Sequence, residues 1–369
     1  METKKIAQLR ANLDKIDKQI IELIAERQVN VDEIGNVKMR TNSPTRDYQR
    51  EKQVMDNIRS TARENNIDES IAQEIFTQII RTSLAKQENQ KLHQSDYGSD
   101  KKVLIIGGNG KMGLWFASFL ASQGFNIEIS DIHPGDHSYK EVGDFRALTL
   151  DHDFVIVATP IKQSANILEA LIELEPTGVV LDISSIKSPL RLPLRKLADA
   201  GCQVASIHPM FGPNITLLSN RHVIFIEVGD KEAVNQVKLL FEPTMAERID
   251  MKLEDHDRLI AYVLGLSHAL NLVFTTVLSE SGEAAAVLAD LSSTTFDAQL
   301  AIASNIAQEN PHLYFEIQKL NNYSDSTLRA MSDACQRLTD IVDRGNEAAF
   351  VRIMQQAQQY FMQRNTENG

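Results

Sequence analysis

The stretch from Lys101 to Asp131, KKVLIIGGNGKMGLWFASFLASQGFNIEISD, restricts the possible folds more than any other part of the chain. An apolar run, Val103 to Ile106, enters a glycine-rich turn, an amphipathic segment of helical period follows, and an alternating run closes on Asp131. Strand, turn, helix and strand within about 30 residues make a βαβ unit, and such units need a largely parallel sheet with helices on its faces. FVIVATP, VVLDISS and HVIFIEVG supply further candidate strands.

The glycines are spaced for a ligand. Gly108-Asn109-Gly110-Lys111-Met112-Gly113 fits G-x-G-x-x-G between a strand and a helix. Gly108 permits the tight turn, Gly110 lets a pyrophosphate approach the helix N-terminal amides, and Gly113 lets helix and strand pack closely. Asp131 follows at close to the ~20-residue spacing of an acid that accepts ribose hydroxyls. Its charge would repel a 2′-phosphate and no arginine follows it, so NAD is expected rather than NADP.

On either side the chain reads as helical. Leu9, Leu13, Ile16, Ile20, Leu23 and Ile24 line one face of a long first helix. RTNSPTRD ends it, a second helix follows from Asp47, and a third runs from about Asp68 through Gln87. The polar, aperiodic ENQKLHQSDYGSD reads as a linker. From about Asp255 the chain is helical again. The expected organisation is an all-α domain over 1–92, a linker over 93–100, an α/β Rossmann-type domain over 101–254 and an all-α domain over 255–369. With its own apolar stripes, the first domain is expected to fold and dimerise alone.

Of the 369 residues 43% are apolar and 24% charged, and the net charge is −12, which argues against general affinity for nucleic acid or acidic membranes. Cys202 and Cys335 have no disulfide or metal spacing. The N-terminus has no signal-peptide core, and no stretch reaches the ~18 continuous apolar residues of a membrane span. A reduced, cytoplasmic protein without a metal centre is expected.

The helical domain carries polar groups at helical spacing. Arg27 and Lys38 are eleven residues apart, close to three turns, and so share a face. Asp47, Arg50 and Glu51 cluster on the second helix, and Ser83 and Gln87 stand at i, i+4 on the third. With Arg10 the set resembles the active-site pattern of the all-helical chorismate mutases of the AroQ class. That resemblance implies that Arg10 and Arg27 hold substrate carboxylates. It implies that Lys38 and Gln87 donate to the ether oxygen that breaks, and that Glu51, with the Asp47 region, receives the ring hydroxyl. Family members are interlocked dimers in which the residue matching Arg10 comes from the partner chain. Helix phase agrees, since Arg10 lies about 100° off the face of Arg27.

In the later domains VATPI, LDISSIKSP, HPMFGP and EDHDRLIAYVLGLSH extend the resemblance to the family of chorismate mutases fused to prephenate dehydrogenases. His208 sits in HPMFGP, where the prolines and glycine forbid a regular helix. By the resemblance His208 takes the proton of the prephenate ring hydroxyl during hydride transfer, and Ser185 orients it. Lys187 and His256 stand near the substrate, while Thr159 and Pro160 join the cofactor set. His268, on an apolar helix, is equally well a core histidine. The family carries two arginines where this chain has Asp297 and Asn305. Besides prephenate, the ring substrate is therefore left open to arogenate or a 4-amino analogue. A further alternative is a dehydrogenase-like domain that only regulates or dimerises the mutase. A homodimer acting on chorismate and prephenate is expected.

Overall fold

The structure, a computed structural model, describes residues 2–41, 43–95 and 97–367. Met1, Asn42, Asp96, Asn368 and Gly369, which fall inside the expected domain spans, lie outside the described residues. The chain divides into two compact units: Met1–Thr159 with Asn166–Ser184 and Pro193–Met251, and Pro160–Ala165 with Ser185–Leu192 and Lys252–Gly369.

The first unit opens with three helices, α1 (Glu2–Arg40), α2 (Tyr48–Glu64) and α3 (Glu69–His93). Asp47 caps α2, accepting the Arg50 N–H at 2.9 Å, and Asp68 caps α3. Glycine at position 35 permits close packing of α1 on α3, because a Cβ there would lie 2.7 Å from the Gln90 amide oxygen and 3.2 Å from Gln87 Cγ. The face of α1 bearing Ile6, Leu9, Leu13, Ile16 and Ile20 is exposed.

The third helix runs past Gln87 to His93. Its last turn enters the core of the sheet domain, where Leu92 is buried in the same cluster as Phe125 and Leu218. The expected linker is packed as well: the Gly98 N–H donates to the Gln123 carbonyl at 3.2 Å, and Tyr97 meets Phe125 edge-on. Asn89 and His93 lie on the outer face of a helix end, which a composition argument reads as a loop.

The sheet has eight strands, β1 (Lys102–Ile106), β2 (Asn126–Ser130), β3 (Lys140–Glu141), β4 (Phe154–Val157), β5 (Val179–Asp182), β6 (Val204–Pro209), β7 (His222–Glu227) and β8 (Glu247–Lys252), in the order β3-β2-β1-β4-β5-β6-β7-β8. The first six are parallel and β7 runs antiparallel to β6. Helices α4 (Lys111–Ala121), α5 (Ile161–Leu174), α6 (Arg191–Asp199) and α7 (Lys231–Leu240) connect them. This is the Rossmann strand order, with its topological switch between β1 and β4, and ligands bind outside the carboxyl ends of the strands at that point. The sequence places the glycine loop there.

Gly113 sits where the α4 backbone meets the loop: a Cβ would lie 2.4 Å from the Gly107 carbonyl oxygen and 2.7 Å from Gly108 Cα. Backbone cannot yield as a flexible side chain does. Gly113→Ala is expected to destabilise the protein by about 1–3 kcal/mol. Thermal unfolding checks it, and an unchanged midpoint would refute it.

The second unit is helical: α8 (Leu253–Ile260), a π-helical segment (Ala261–Leu266), α9 (Ser267–Glu280), α10 (Ala285–Asp290), α11 (Thr294–Ala307), α12 (Pro311–Leu320), α13 (Ser324–Asp343) and α14 (Glu347–Glu367). Within the π segment the Gly265 carbonyl accepts from Gln318 Nε2 at 2.8 Å. Such segments are rare and recur at functional sites.

Candidate active sites

A pocket of about 340 Å³ lies where the helical domain meets α7 of the sheet domain, lined by Lys38, Thr45, Gln87 and Lys91 on one side and by Leu239 and Glu242 on the other. Gln87 is buried and its Oε1 lacks a partner, as do those of Gln28 and Gln90. A buried polar atom left unpaired costs about 1–3 kcal/mol; of the three glutamines Gln87 lines the pocket, so its amide marks a place for a polar ligand. Arg27 Nη1 donates to Ser83 Oγ at 2.5 Å, joining α1 to α3. Lys38 Nζ donates to the Thr45 carbonyl at 2.7 Å. Of the group on α2, Asp47 serves as the helix cap, Arg50 is exposed, and the Glu51 carboxylate pairs with Arg46 at 2.9 and 3.0 Å. Arg10 stands about 25 Å along α1 from Arg27 at 1.5 Å per residue, so the chain's own helix does not bring the two together.

At the glycine loop Gly107 is left-handed, with φ of +82°, and makes the turn expected of Gly108. Gly108 instead packs on the sheet, where a Cβ would lie 2.6 Å from Ile129 Cγ2. Gly110 is the N-cap of α4 and provides no side-chain cap. The amides of Lys111, Met112 and Gly113 therefore open the helix toward an anion. Asp131 Oδ2 accepts the Asn109 N–H at 3.0 Å and Oδ1 the His133 N–H at 3.1 Å. A carboxylate has about four acceptor sites, which leaves two for a diol. The Asn109 side chain reaches the His133 carbonyl at 2.5 Å and His137 Nε2 at 2.7 Å. Thr159 follows β4 beside the turn, its Cγ2 2.6 Å from where a Gly107 Cβ would be, and Pro160 is the next residue. These residues fit a dinucleotide.

His208 lies near the C-terminal end of β6 opposite Ile224 and is only 3% exposed. Two residues earlier on the same strand face, Ser206 donates its hydroxyl to Asp182, a fully buried carboxylate at the end of β5 that also accepts the Ser184 N–H at 2.8 Å.

Ser185, Lys187 and His256 belong to the second unit. There Asp257, also fully buried, is a hub. It accepts the Lys187 N–H at 2.8 Å, both the N–H and hydroxyl of Ser188, and the His256 Nδ1–H at 2.7 Å. Burial pushes its carboxyl up, but the bonds from His256 and Ser188 hold it below the usual carboxylate range. The bond also sets the His256 tautomer. His268 stacks on Tyr314 at 4.1 Å between centroids, and burial lowers its pKa to about 4. Asp297 and Asn305 are both exposed on α11, with Asp297 accepting from the Ser292 hydroxyl.

Comparison with known proteins matches three segments of the chain. Residues 9–88 match chorismate mutase type II, 130–250 the nucleotide-binding domain of prephenate dehydrogenase, and 252–356 its dimerization domain. The T-protein of Enterobacter agglomerans is 25% identical over 96% of this chain and 92% of its own. A chorismate mutase of Methanocaldococcus jannaschii is 37% identical over 84 residues, covering 23% of this chain and 85% of its own. The chain belongs to the family of chorismate mutases fused to prephenate dehydrogenases. The fold agrees with the prephenate dehydrogenase from A. aeolicus, solved with hydroxyphenyl propionate and NAD+, at a TM-score of 0.55, 20% identity, and coverage of 72% of this chain and 98% of that one.

For a fused mutase and dehydrogenase, residue spacing alone misses several groups. Arg46, Glu88, Asp182 and Asp257 act through partners distant in sequence: Asp257 is 70 residues from Lys187, and Arg46 is 173 from Ser219. A buried acid following a candidate site residue, as in Gln87-Glu88 and His256-Asp257, is the one signal that points to two of them.

Proposed function

We propose that residues 1–92 rearrange chorismate to prephenate, and that 101–254 and 255–369 oxidatively decarboxylate prephenate to 4-hydroxyphenylpyruvate with NAD, in a cytoplasmic homodimer. The observation that carries the reading is the presence of both sites in one chain, the orphaned Gln87 pocket and the glycine loop with Asp131 and His208. A mutase whose product is the dehydrogenase's substrate makes sense of their union.

The rearrangement needs geometry and charge stabilisation, with no nucleophile and no proton transfer. Arg27, held by Ser83, binds a carboxylate of the dianion. Lys38 and Gln87 donate to the ether oxygen as charge grows on it. Glu51, with Asp47 and Arg50 nearby, receives the ring hydroxyl. Arg10 reaches the pocket from the partner chain, consistent with its distance from Arg27 and with the apolar face of α1 left uncovered. A second apolar face, with Leu270, Val273 and Val277 exposed on α9, suits the dimerization domain. The run Leu253–Glu280 is long and apolar enough to cross a bilayer by length and composition; His256 and Asp257 at its start are fully buried within the unit, and its exposed apolar face is the one that suits the dimerization domain.

In the dehydrogenase, NAD supplies the nicotinamide that accepts hydride. His208 takes the ring hydroxyl proton as C4 loses hydride, with Ser185 orienting the pair. Loss of the ring carboxylate as carbon dioxide then makes the ring aromatic. Lys187, whose backbone N–H donates to Asp257, and His256, whose ring Asp257 holds, contribute to the substrate side. The backbone of Gly108, Asn109, Gly110, Lys111, Met112 and Gly113, with Thr159 and Pro160, holds the cofactor, and Asp131 the ribose.

Purified protein given chorismate, and then NAD with prephenate, arogenate or the 4-amino analogue, tests the reading. Prephenate is expected to be the best ring substrate. Asp297, a carboxylate at a family arginine position, is the reason to include the two amine-bearing compounds, and preference for either would correct the substrate. Asp131→Ala is expected to lower the NAD over NADP preference by about tenfold or more while leaving the mutase unchanged. Equal use of both cofactors by the unmodified enzyme would contradict the assignment.

A further inference from the structure

Two side chains of the mutase domain, Glu88 on α3 and Arg46 in the connection between α1 and α2, reach adjacent residues of one dehydrogenase-domain segment, Leu218–Asn220. Glu88, 1% exposed, follows Gln87 on α3. Its carboxylate accepts the Leu218 N–H at 2.8 Å and the Met245 N–H at 2.5 Å. Burial raises its pKa and these two donors counter the rise. Arg46 holds Glu51 with Nε and Nη2 and turns Nη1 to Ser219 Oγ at 2.6 Å and Asn220 Oδ1 at 2.7 Å. Its guanidinium also lies over the Tyr48 ring at 4.3 Å.

The receiving segment is itself fixed. Arg221 N–H donates to the Leu218 carbonyl at 3.0 Å, closing a turn that needs Asn220 at φ of +60°. Leu217 and Leu218 are buried. The segment belongs to the β6–β7 connection that begins with HPMFGP, and Trp115 Nε1 on α4 ties that connection down through the Ile215 carbonyl at 3.0 Å.

We propose that Leu218–Asn220 is an anchor, supplied by the dehydrogenase domain, that positions the mutase active site, with Glu88 and Arg46 as its two positioning residues. The inference rests on the mutase reading of the pocket. Neighbouring side chains on a helix point about 100° apart. Gln87 can therefore line the pocket while Glu88 grips the sheet domain, and gripping Glu88 sets the rotation of α3 that aims Gln87. Arg46 does the same for Glu51: its planar fork matches a carboxylate, and its Nη1 donors reach the anchor. A displacement of about 1 Å at a positioned group can cost on the order of 10²-fold in rate. An anchor outside the mutase fold therefore controls turnover without touching substrate.

The test uses the full-length chain and follows chorismate consumption and NADH formation from added prephenate separately. Ser219→Ala/Asn220→Gly removes the acceptors for Arg46 while glycine keeps the positive φ. It is expected to lower mutase kcat about fivefold, with KM changed less than about threefold and the dehydrogenase rate held within about twofold. Glu88→Gln leaves one backbone N–H facing an amide NH₂ and is expected to lower mutase kcat about tenfold. Arg46→Lys, which keeps charge but loses the fork, should fall between Arg46→Met and the unmodified enzyme. Mutase kcat unchanged in both the double variant and Glu88→Gln overturns the proposal, as does a rise in KM alone. Should Glu88→Gln not fold, the surface double variant decides. Failure of the unmodified chain to rearrange chorismate would refute the mutase reading itself and is seen before any variant is made.

Discussion

Replacing His208 by asparagine is expected to lower dehydrogenase kcat by roughly 10²–10⁴, the range for losing a positioned acid–base group. Asparagine is smaller but keeps a hydrogen-bonding group on a side chain that is 3% exposed on β6, so the folding cost should be modest beside the catalytic loss. Substrate and NAD affinity rest on other groups and should also hold. The base must be neutral to accept a proton. The unmodified enzyme should therefore lose activity at acid pH, and the asparagine variant should lose that dependence. Steady-state rates across pH check this. A large rise in KM with kcat preserved would make His208 a binding residue only.

Lys38→Ala is expected to lower mutase kcat by roughly 10²–10³, about 2.7–4 kcal/mol, the loss seen when a donor to a developing oxyanion is removed. The same ammonium donates to the Thr45 carbonyl at 2.7 Å, so the variant also frees the turn between α1 and α2. A part-buried bond of this kind contributes about 0.5–1.5 kcal/mol, which bounds the folding effect well below the catalytic one. Chorismate turnover and thermal unfolding measured side by side separate the two. Near-normal turnover would remove Lys38 from the catalytic set. Dehydrogenase activity on added prephenate should not move.

The expectation that the first domain stands alone meets an obstacle in α3. A piece cut at residue 92 would leave Glu88 without the Leu218 and Met245 amides and would expose Leu92, which is buried in the sheet domain's core. The apolar stripes of α1 and α3 remain strong enough to specify helices. What the piece would lose is the support beneath Gln87.

Local pattern settled much of this protein. A strand–glycine–helix–strand run with an acid at its end specifies a βαβ unit and its anion site, because side-chain period, glycine freedom and helix-end amides all act within about 30 residues. The starts of α2 and α3 near Asp47 and Asp68, the helical character of both flanks and the polar rows on α1 and α3 were legible for the same reason. Spacing did not reveal which glycine makes the turn, since Gly107 and Gly108 are equally small. The difference lies in what each backbone meets, Thr159 for one and Ile129 for the other. Nor could it show that Asp257 gathers Lys187, Ser188 and His256, that Asp182 receives Ser206, or that Glu88 and Arg46 converge on residues 218–220. Apart from His256, which adjoins Asp257, those contacts join residues 24 to 174 apart, and chain connectivity imposes no period on them. Only the packed tertiary structure brings them together, because a buried carboxylate must find donors wherever the fold presents them.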